Sequence, residues 1–126
     1  MKHVLVVDDD FDICDSVELL LEPEYRVYLA YNGVQALELL ALRRVDAVVL
    51  DLMMPVMDGE TFLRELRARG IDVPVILTSA SYDLAARAQG AGAVEWFQKP
   101  FDGNALLAAL YRALDGSTCN DTLQHG

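Results

Sequence analysis

Five short apolar runs, set apart by segments of helical periodicity, constrain this chain more than any other feature. VLVV (4–7), AVVL (47–50) and VPVIL (73–77) are continuous and rich in β-branched residues, the pattern of parallel strands covered on both faces. YRVYLA (25–30) alternates instead, with Tyr25, Val27 and Leu29 on one face, and reads as an edge strand. VEWF (94–97) supplies a fifth strand, also near an edge. Ile13, Val17, Leu20 and Leu21 recur at helical spacing, and Pro23 stops that helix. Val34, Leu37 and Ala41 form a second stripe, opened by the turn dipeptide Asn32-Gly33. Over 59–69, Phe62, Leu63 and Leu66 face inward, while Glu60–Arg64 and Glu65–Arg69 are outer pairs four residues apart. An Ala-rich segment, 83–91, gives a short fourth helix, and Leu106, Leu107, Leu110 and Leu114 define a fifth. Strands alternating with helices from end to end imply an α/β fold: an open sheet with right-handed crossovers.

The 126 residues suffice for one buried core, here 1–115, followed by a polar, aperiodic tail over 116–126. No apolar run approaches the roughly 20 residues of a membrane span. The start, MKHVLVVDDD, turns acidic too early for a signal peptide. Cys14 and Cys119 form no framework, so reduced thiols and a cytoplasmic location are expected. The net charge is −10 and no Lys/Arg cluster interrupts it. A field of that sign repels phosphate backbones and argues against nucleic-acid binding by this segment, while admitting cations or basic partner surfaces.

Ligands of open α/β sheets bind outside the carboxyl ends of the strands. Asp8 and Asp9 follow the first run directly, and Asp51 follows the third. If those strands are neighbours, three carboxylates converge. At about 4–5 Å each pair repels by roughly 1 kcal/mol in water, and by several times that at an effective dielectric near 20. A raised pKa or a bound cation must relieve this. Oxygen donors favour a hard ion, and a few carboxylates completed by water suit Mg²⁺ better than Ca²⁺. The fourth run leads into the hydroxyls of Thr78 and Ser79, and the fifth into the Lys99 ammonium. The Lys99–Pro100 bond is a candidate cis peptide. Together these groups describe phosphoryl transfer. Asp51 is the nucleophile that forms an aspartyl-phosphate, with the metal, Lys99 and a hydroxyl neutralising the phosphoryl oxygens.

Plainer explanations cover only part of this set. A helix cap needs one acid, and Asp10 fills that role; Asp8 and Asp9 are left over. Asp58-Gly59 reads as a turn and helix start, and the methionines before it as space-fillers. Lys99 alone could be a surface lysine, and Trp96 plain packing on an edge strand. An EF-hand beginning at Asp8 would meet Ile13 where glycine must turn the chain. A haloacid-dehalogenase pattern would place Asp12 where threonine is needed and leave the Asp51 loop without a role. Three aspartates after the first strand would repel the phosphate of a flavin.

VLVVDDD, VLDLMMPVMDG, the Thr78-Ser79-Ala80 strand end and QKPF, in this order, closely resemble the receiver domain of two-component response regulators, as in the single-domain chemotaxis regulators. The likeness covers about residues 2–115. It implies a doubly wound, flavodoxin-like sheet of order 2-1-3-4-5 with five helices. It makes Asp51 the phosphoacceptor, with Asp9 binding Mg²⁺ directly, Asp8 mainly through water, and Met53 adding its backbone carbonyl. Lys99 matches the lysine that contacts the phosphoryl group. Counting from Pro74, the switch hydroxyl falls on Ser79, or on Thr78 if the register shifts by one. Trp96 matches the aromatic position that swings inward when the hydroxyl moves, where Tyr or Phe is commoner. The stretch from Ser79 to Lys99 is about two residues shorter than the family leads one to expect. The implied donor is a sensor histidine kinase or phosphotransfer protein. The implied output surface, on the fourth helix, fifth strand and fifth helix, binds an output partner or a second copy. Such a domain is no enzyme in the ordinary sense: it supports its own phosphorylation and slow hydrolysis. A receiver-like adaptor that is never phosphorylated is the competing expectation.

Overall fold

Strands β1 (His3–Val7), β2 (Arg26–Ala30), β3 (Ala47–Asp51), β4 (Val75–Ser79) and β5 (Glu95–Gln98) pair in parallel, in the order β2-β1-β3-β4-β5. The computed structural model describes residues 1–54, 56–80 and 93–116. Within these, α1 (Phe11–Leu21), α2 (Gly33–Leu42) and α3 (Gly59–Ala68) connect strands, and α4 (Gly103–Tyr111) follows β5 and runs into a π-helical turn, Arg112–Gly116. The helix expected over 83–91 and most of the polar tail lie outside the described residues.

Strand alternation divides the core in two. Leu5, Val7, Val48, Leu50, Val75 and Leu77 face α2 and α3, where Ala36, Leu37, Phe62, Leu63 and Leu66 cover them. Val4, Val6, Ala47, Val49 and Ile76 face α1 and α4, meeting Cys14, Val17, Leu21, Leu106, Ala109 and Leu110. A sheet covered on both faces explains the continuous apolar runs. Each fully buried leucine or phenylalanine contributes about 1.5–3 kcal/mol relative to exposure. Tyr25, Val27 and Leu29 share the second cluster, as the alternation of the edge strand requires.

Strand boundaries differ from those expected by one or two residues, most at β4. The fourth strand begins after Pro74, not at Val73, and runs through Thr78 and Ser79. Proline has no N–H for the ladder, whereas Thr78 and Ser79 carry theirs on to the sheet edge. In α2 the buried residues are Gly33, Ala36 and Leu37, while Val34 and Ala41 are exposed. The helix turns Gly33 toward Met57, whose Sδ lies 2.8 Å from where a Cβ on Gly33 would stand. That contact rotates the stripe. Caps agree with the residue types: Asp10 accepts from the N–H groups of Asp12 and Ile13, Asn32 from Gln35, and Asp58 from Thr61. At the far end of α3, Gly70 takes φ +74°. Its N–H bonds the Arg67 carbonyl and that of Ile71 bonds Leu66, the paired closure a left-handed residue permits.

Candidate functional site

Asp8 is the first residue past β1, and its N–H still bonds the Ala30 carbonyl of β2 at 3.1 Å. Val7 pairs with Leu50, so Asp8 stands level with Asp51, the last residue of β3. Strands β1 and β3 are neighbours, and the two carboxylates therefore meet. Both residues are buried at 3% exposure. Asp9 is exposed. One oxygen each from Asp8, Asp9 and Asp51 lie within 4.8 Å of one another.

Lys99 reaches this group from the end of β5. Its Nζ donates to Asp8 Oδ2 at 2.8 Å and lies 3.4 Å from Asp51 Oδ2. Asp8 Oδ1 accepts the Asp10 N–H at 2.9 Å, and Asp51 Oδ1 accepts the Met53 N–H at 3.1 Å. Burial pushes the Asp51 carboxyl up to about 7; the Asp8 charge adds to this, and the Met53 N–H and Lys99 offset only part. For Lys99, burial disfavours the ammonium, yet the Asp8 hydrogen bond and the two carboxylate charges outweigh it and hold its pKa above the usual lysine value. The Lys99–Pro100 bond is cis.

This donor set fits a hard divalent cation. All three ligands are oxygens, and one ammonium leaves their summed charge uncompensated. The cluster is therefore one that could bind a metal.

The hydroxyl residues sit on different sides of β4. Thr78 pairs with Asp51 across the ladder and with Phe97 beyond. Ser79, one residue on, alternates to the face of Leu77 and is fully buried. Its carbonyl accepts the Lys99 N–H at 2.8 Å, tying the two strand ends together. Trp96 pairs with Leu77 and packs, half-buried, on the α2–α3 side of the sheet. Met53 lies in the loop after β3 and is exposed. The neighbouring methionines fill space as expected: Met54 is buried and Met57 packs on the same core.

Sequence reasoning passed over Gly59. A Cβ there would stand 2.6 Å from the Leu52 Cα and 2.7 Å from the Asp51 carbonyl oxygen. Only glycine lets α3 approach the end of β3 so closely, and its N–H bonds the Leu52 carbonyl at 3.1 Å. The signal was present, a glycine after a capping aspartate, but a turn accounts for the same pair of letters. Beside Lys99 runs an apolar groove of about 570 Å³ lined by Ile13, Val17, Leu20, Pro100 and Phe101.

Fold and site together define a doubly wound signalling module, its acids and lysine gathered where β1, β3 and β5 end. The chain belongs to the response regulator receiver domain family, whose model matches residues 4–111. It serves two-component signalling. It is 44% identical over 122 residues to response regulator MprA of Mycobacterium sp. (strain KMS), covering 94% of this chain and 53% of that protein. The chain thus spans about half the length of the curated relatives it matches. Among solved structures, the Francisella response regulator 1452 receiver domain superposes with a TM-score of 0.86 at 30% identity, covering 93% of this chain and 99% of that one. Vibrio cholerae chemotaxis protein CheY4 gives 0.82 at 32% identity, covering 90% and 99%.

Proposed function

We propose that Asp51 accepts a phosphoryl group from a sensor histidine kinase or phosphotransfer protein, and that the aspartyl-phosphate switches an output surface. The observation that carries this is the convergence of Asp8, Asp9 and Asp51 with the Lys99 ammonium between two of them. Mg²⁺, held by Asp9, Asp51, the Met53 carbonyl and, through water, Asp8, would supply Lewis-acid neutralisation of phosphoryl charge. Asp51 Oδ2, on the Lys99 side, attacks phosphorus while Oδ1 stays fixed by the Met53 N–H; the bond from phosphorus to the donor's histidine nitrogen breaks, and its electron pair stays on that imidazole. Lys99 then shifts from the carboxylates toward the new phosphoryl oxygens, adding a second positive centre. The groove beside Lys99 offers a donor protein an apolar surface next to the acceptor.

Phosphorylation adds about −1.5 to −2 charge. Ser79 is drawn toward it, and Trp96, on the same face of the sheet two rungs below, follows into the vacated space. The surface that changes includes β5 and α4, and would bind an output partner or a second copy. The receiver unit is 1–115, with 116–126 a tail or linker. The protein is a cytoplasmic signalling component with no substrate other than its own phosphoryl group, and the segment does not bind nucleic acid. Among the described residues no helix is long and apolar enough to cross a membrane.

Incubation with acetyl phosphate and Mg²⁺, followed by intact mass, tests the reading. Wild type should gain one phosphoryl group and Asp51→Asn none. Equal uptake by both removes Asp51 from this role, and uptake by neither, even from histidine-kinase donors, favours an unphosphorylated adaptor.

A further inference from the structure

Two hydroxyl residues end β4, and only one stands in the row of the acceptor. Thr78 is the ladder partner of Asp51. Neighbouring strands lie about 4.8 Å apart, and side chains paired across a ladder project to the same face. Alternation from Val49 and Ile76, which share the α1–α4 core cluster, puts Asp51 and Thr78 together on that face. Thr78 is 2% exposed. Its carbonyl accepts the Leu52 N–H at 3.0 Å, so its backbone is tied to the residue directly after Asp51. Phe97 is its partner on the other side and belongs to the apolar cluster. The polar neighbour in its row is therefore Asp51. Ser79 alternates to the opposite face and must come around the strand end to reach the same carboxylate.

Resting on the phosphoacceptor reading above, we infer that the Thr78 hydroxyl is a positioning residue for dephosphorylation, donating to the Asp51 carboxylate as it departs from phosphorus. In hydrolysis a water oxygen bonds phosphorus, the bond from phosphorus to the Asp51 oxygen breaks, and its electron pair returns to Asp51 as carboxylate. The water protons go to inorganic phosphate and solvent. Phosphoryl transfer runs through a loose transition state in which the leaving oxygen already carries most of its charge. A donor beside that oxygen speeds its departure. The same donor does little for uptake, where Asp51 is the entering group and is scarcely bonded at the transition state. Thr78 thus shortens the phosphoryl lifetime without governing how fast the group arrives.

The test measures both rates, with acetyl phosphate and Mg²⁺, in wild type, Thr78→Val, Thr78→Ser and Asp51→Asn. Thr78→Val should slow hydrolysis roughly three- to tenfold, the effect of one ordinary hydrogen bond, and slow uptake less than twofold. Thr78→Ser should bring hydrolysis back toward the wild-type rate. A packing defect would slow both rates and would not be rescued by serine. Hydrolysis at the wild-type rate in Thr78→Val, or equal slowing in the valine and serine variants, overturns the assignment while leaving the acceptor in place. Uptake that survives in Asp51→Asn overturns the acceptor reading and this inference with it. Should Thr78→Val fail to fold, Thr78→Ala makes the same comparison.

Discussion

Asp51 holds the tension of the site in a single carboxyl. Its pKa, pushed up to about 7 by burial and then by Asp8, means that the folded protein binds its proton more tightly than the unfolded chain does. Between the ordinary aspartate value and about 7 the native state holds the extra proton, so this group's contribution to stability falls as pH rises through that window and stays lost above it. In EDTA at pH 8, Asp51→Asn should therefore stabilise the protein by about 2 kcal/mol, an advantage that disappears near pH 4. Urea denaturation at the two pH values checks this. Lys99 keeps Asp8 as a partner in that variant, so no buried cation is stranded. Val56 is a second strained point. It is 82% exposed with φ +71°, a region that a β-branched side chain resists. Val56→Asn should add about 1 kcal/mol; an unchanged denaturation midpoint would argue that the loop does not hold this conformation in solution. Cys14 belongs to the core: its thiol donates to the Asp8 carbonyl, and burial foremost, then the Asp8 charge, push it up to about 12.

At the level of elements, the junction of β3 with α3 places the acceptor. Gly59→Ala must force either the Leu52 backbone or the helix start aside, since both contacts are to main chain or its near neighbours. We expect a loss of about 2–3 kcal/mol by thermal denaturation, together with slower phosphoryl uptake because Asp51 moves with Leu52. Gly33→Ala meets only the Met57 side chain, which can swing away, and should cost less. Element types were legible throughout the described residues because burial on both faces leaves an unbroken apolar run, while burial on one face leaves a stripe. The stripe of α2 was misplaced for a reason internal to helices. Val34, Leu37 and Ala41 and the observed Gly33, Ala36 and Leu37 are both good helical spacings, and the choice between them rests on Met57 from a distant loop. The shift of β4 toward its hydroxyls came from underrating polar residues at a sheet edge, where a strand continues as long as its backbone finds partners.

For the molecule as a whole, a cation bound by the folded acid cluster and not by the unfolded chain should stabilise by mass action. Raising Mg²⁺ to about a hundred times its dissociation constant should add about 2.7 kcal/mol. Asp9→Asn should abolish most of that gain while leaving the metal-free melting temperature nearly unchanged, because Asp9 is exposed. Calorimetry with and without EDTA makes the comparison; an equal Mg²⁺ response in Asp9→Asn would exclude the residue as a ligand. Trp96 gives a built-in reporter of the switch. Its fluorescence should respond to phosphorylation beyond any response to Mg²⁺ alone, and silence would leave it a packing residue of β5.

Local chemistry was enough to determine the alternation of strands and helices, the caps at Asp10, Asn32 and Asp58, and the identity of the acids and the lysine. Propensity, periodicity and hydrogen-bonding capacity belong to residues and their near neighbours. Only the folded chain decided that Asp8 and Asp51 would be neighbours, that Lys99, ninety-one residues beyond Asp8, would bridge them, and that Thr78, not Ser79, would share the acceptor's row. Those facts depend on strand order and register, set by packing among segments far apart in the chain. A shift of one residue in any strand would turn its side chains to the other face of the sheet.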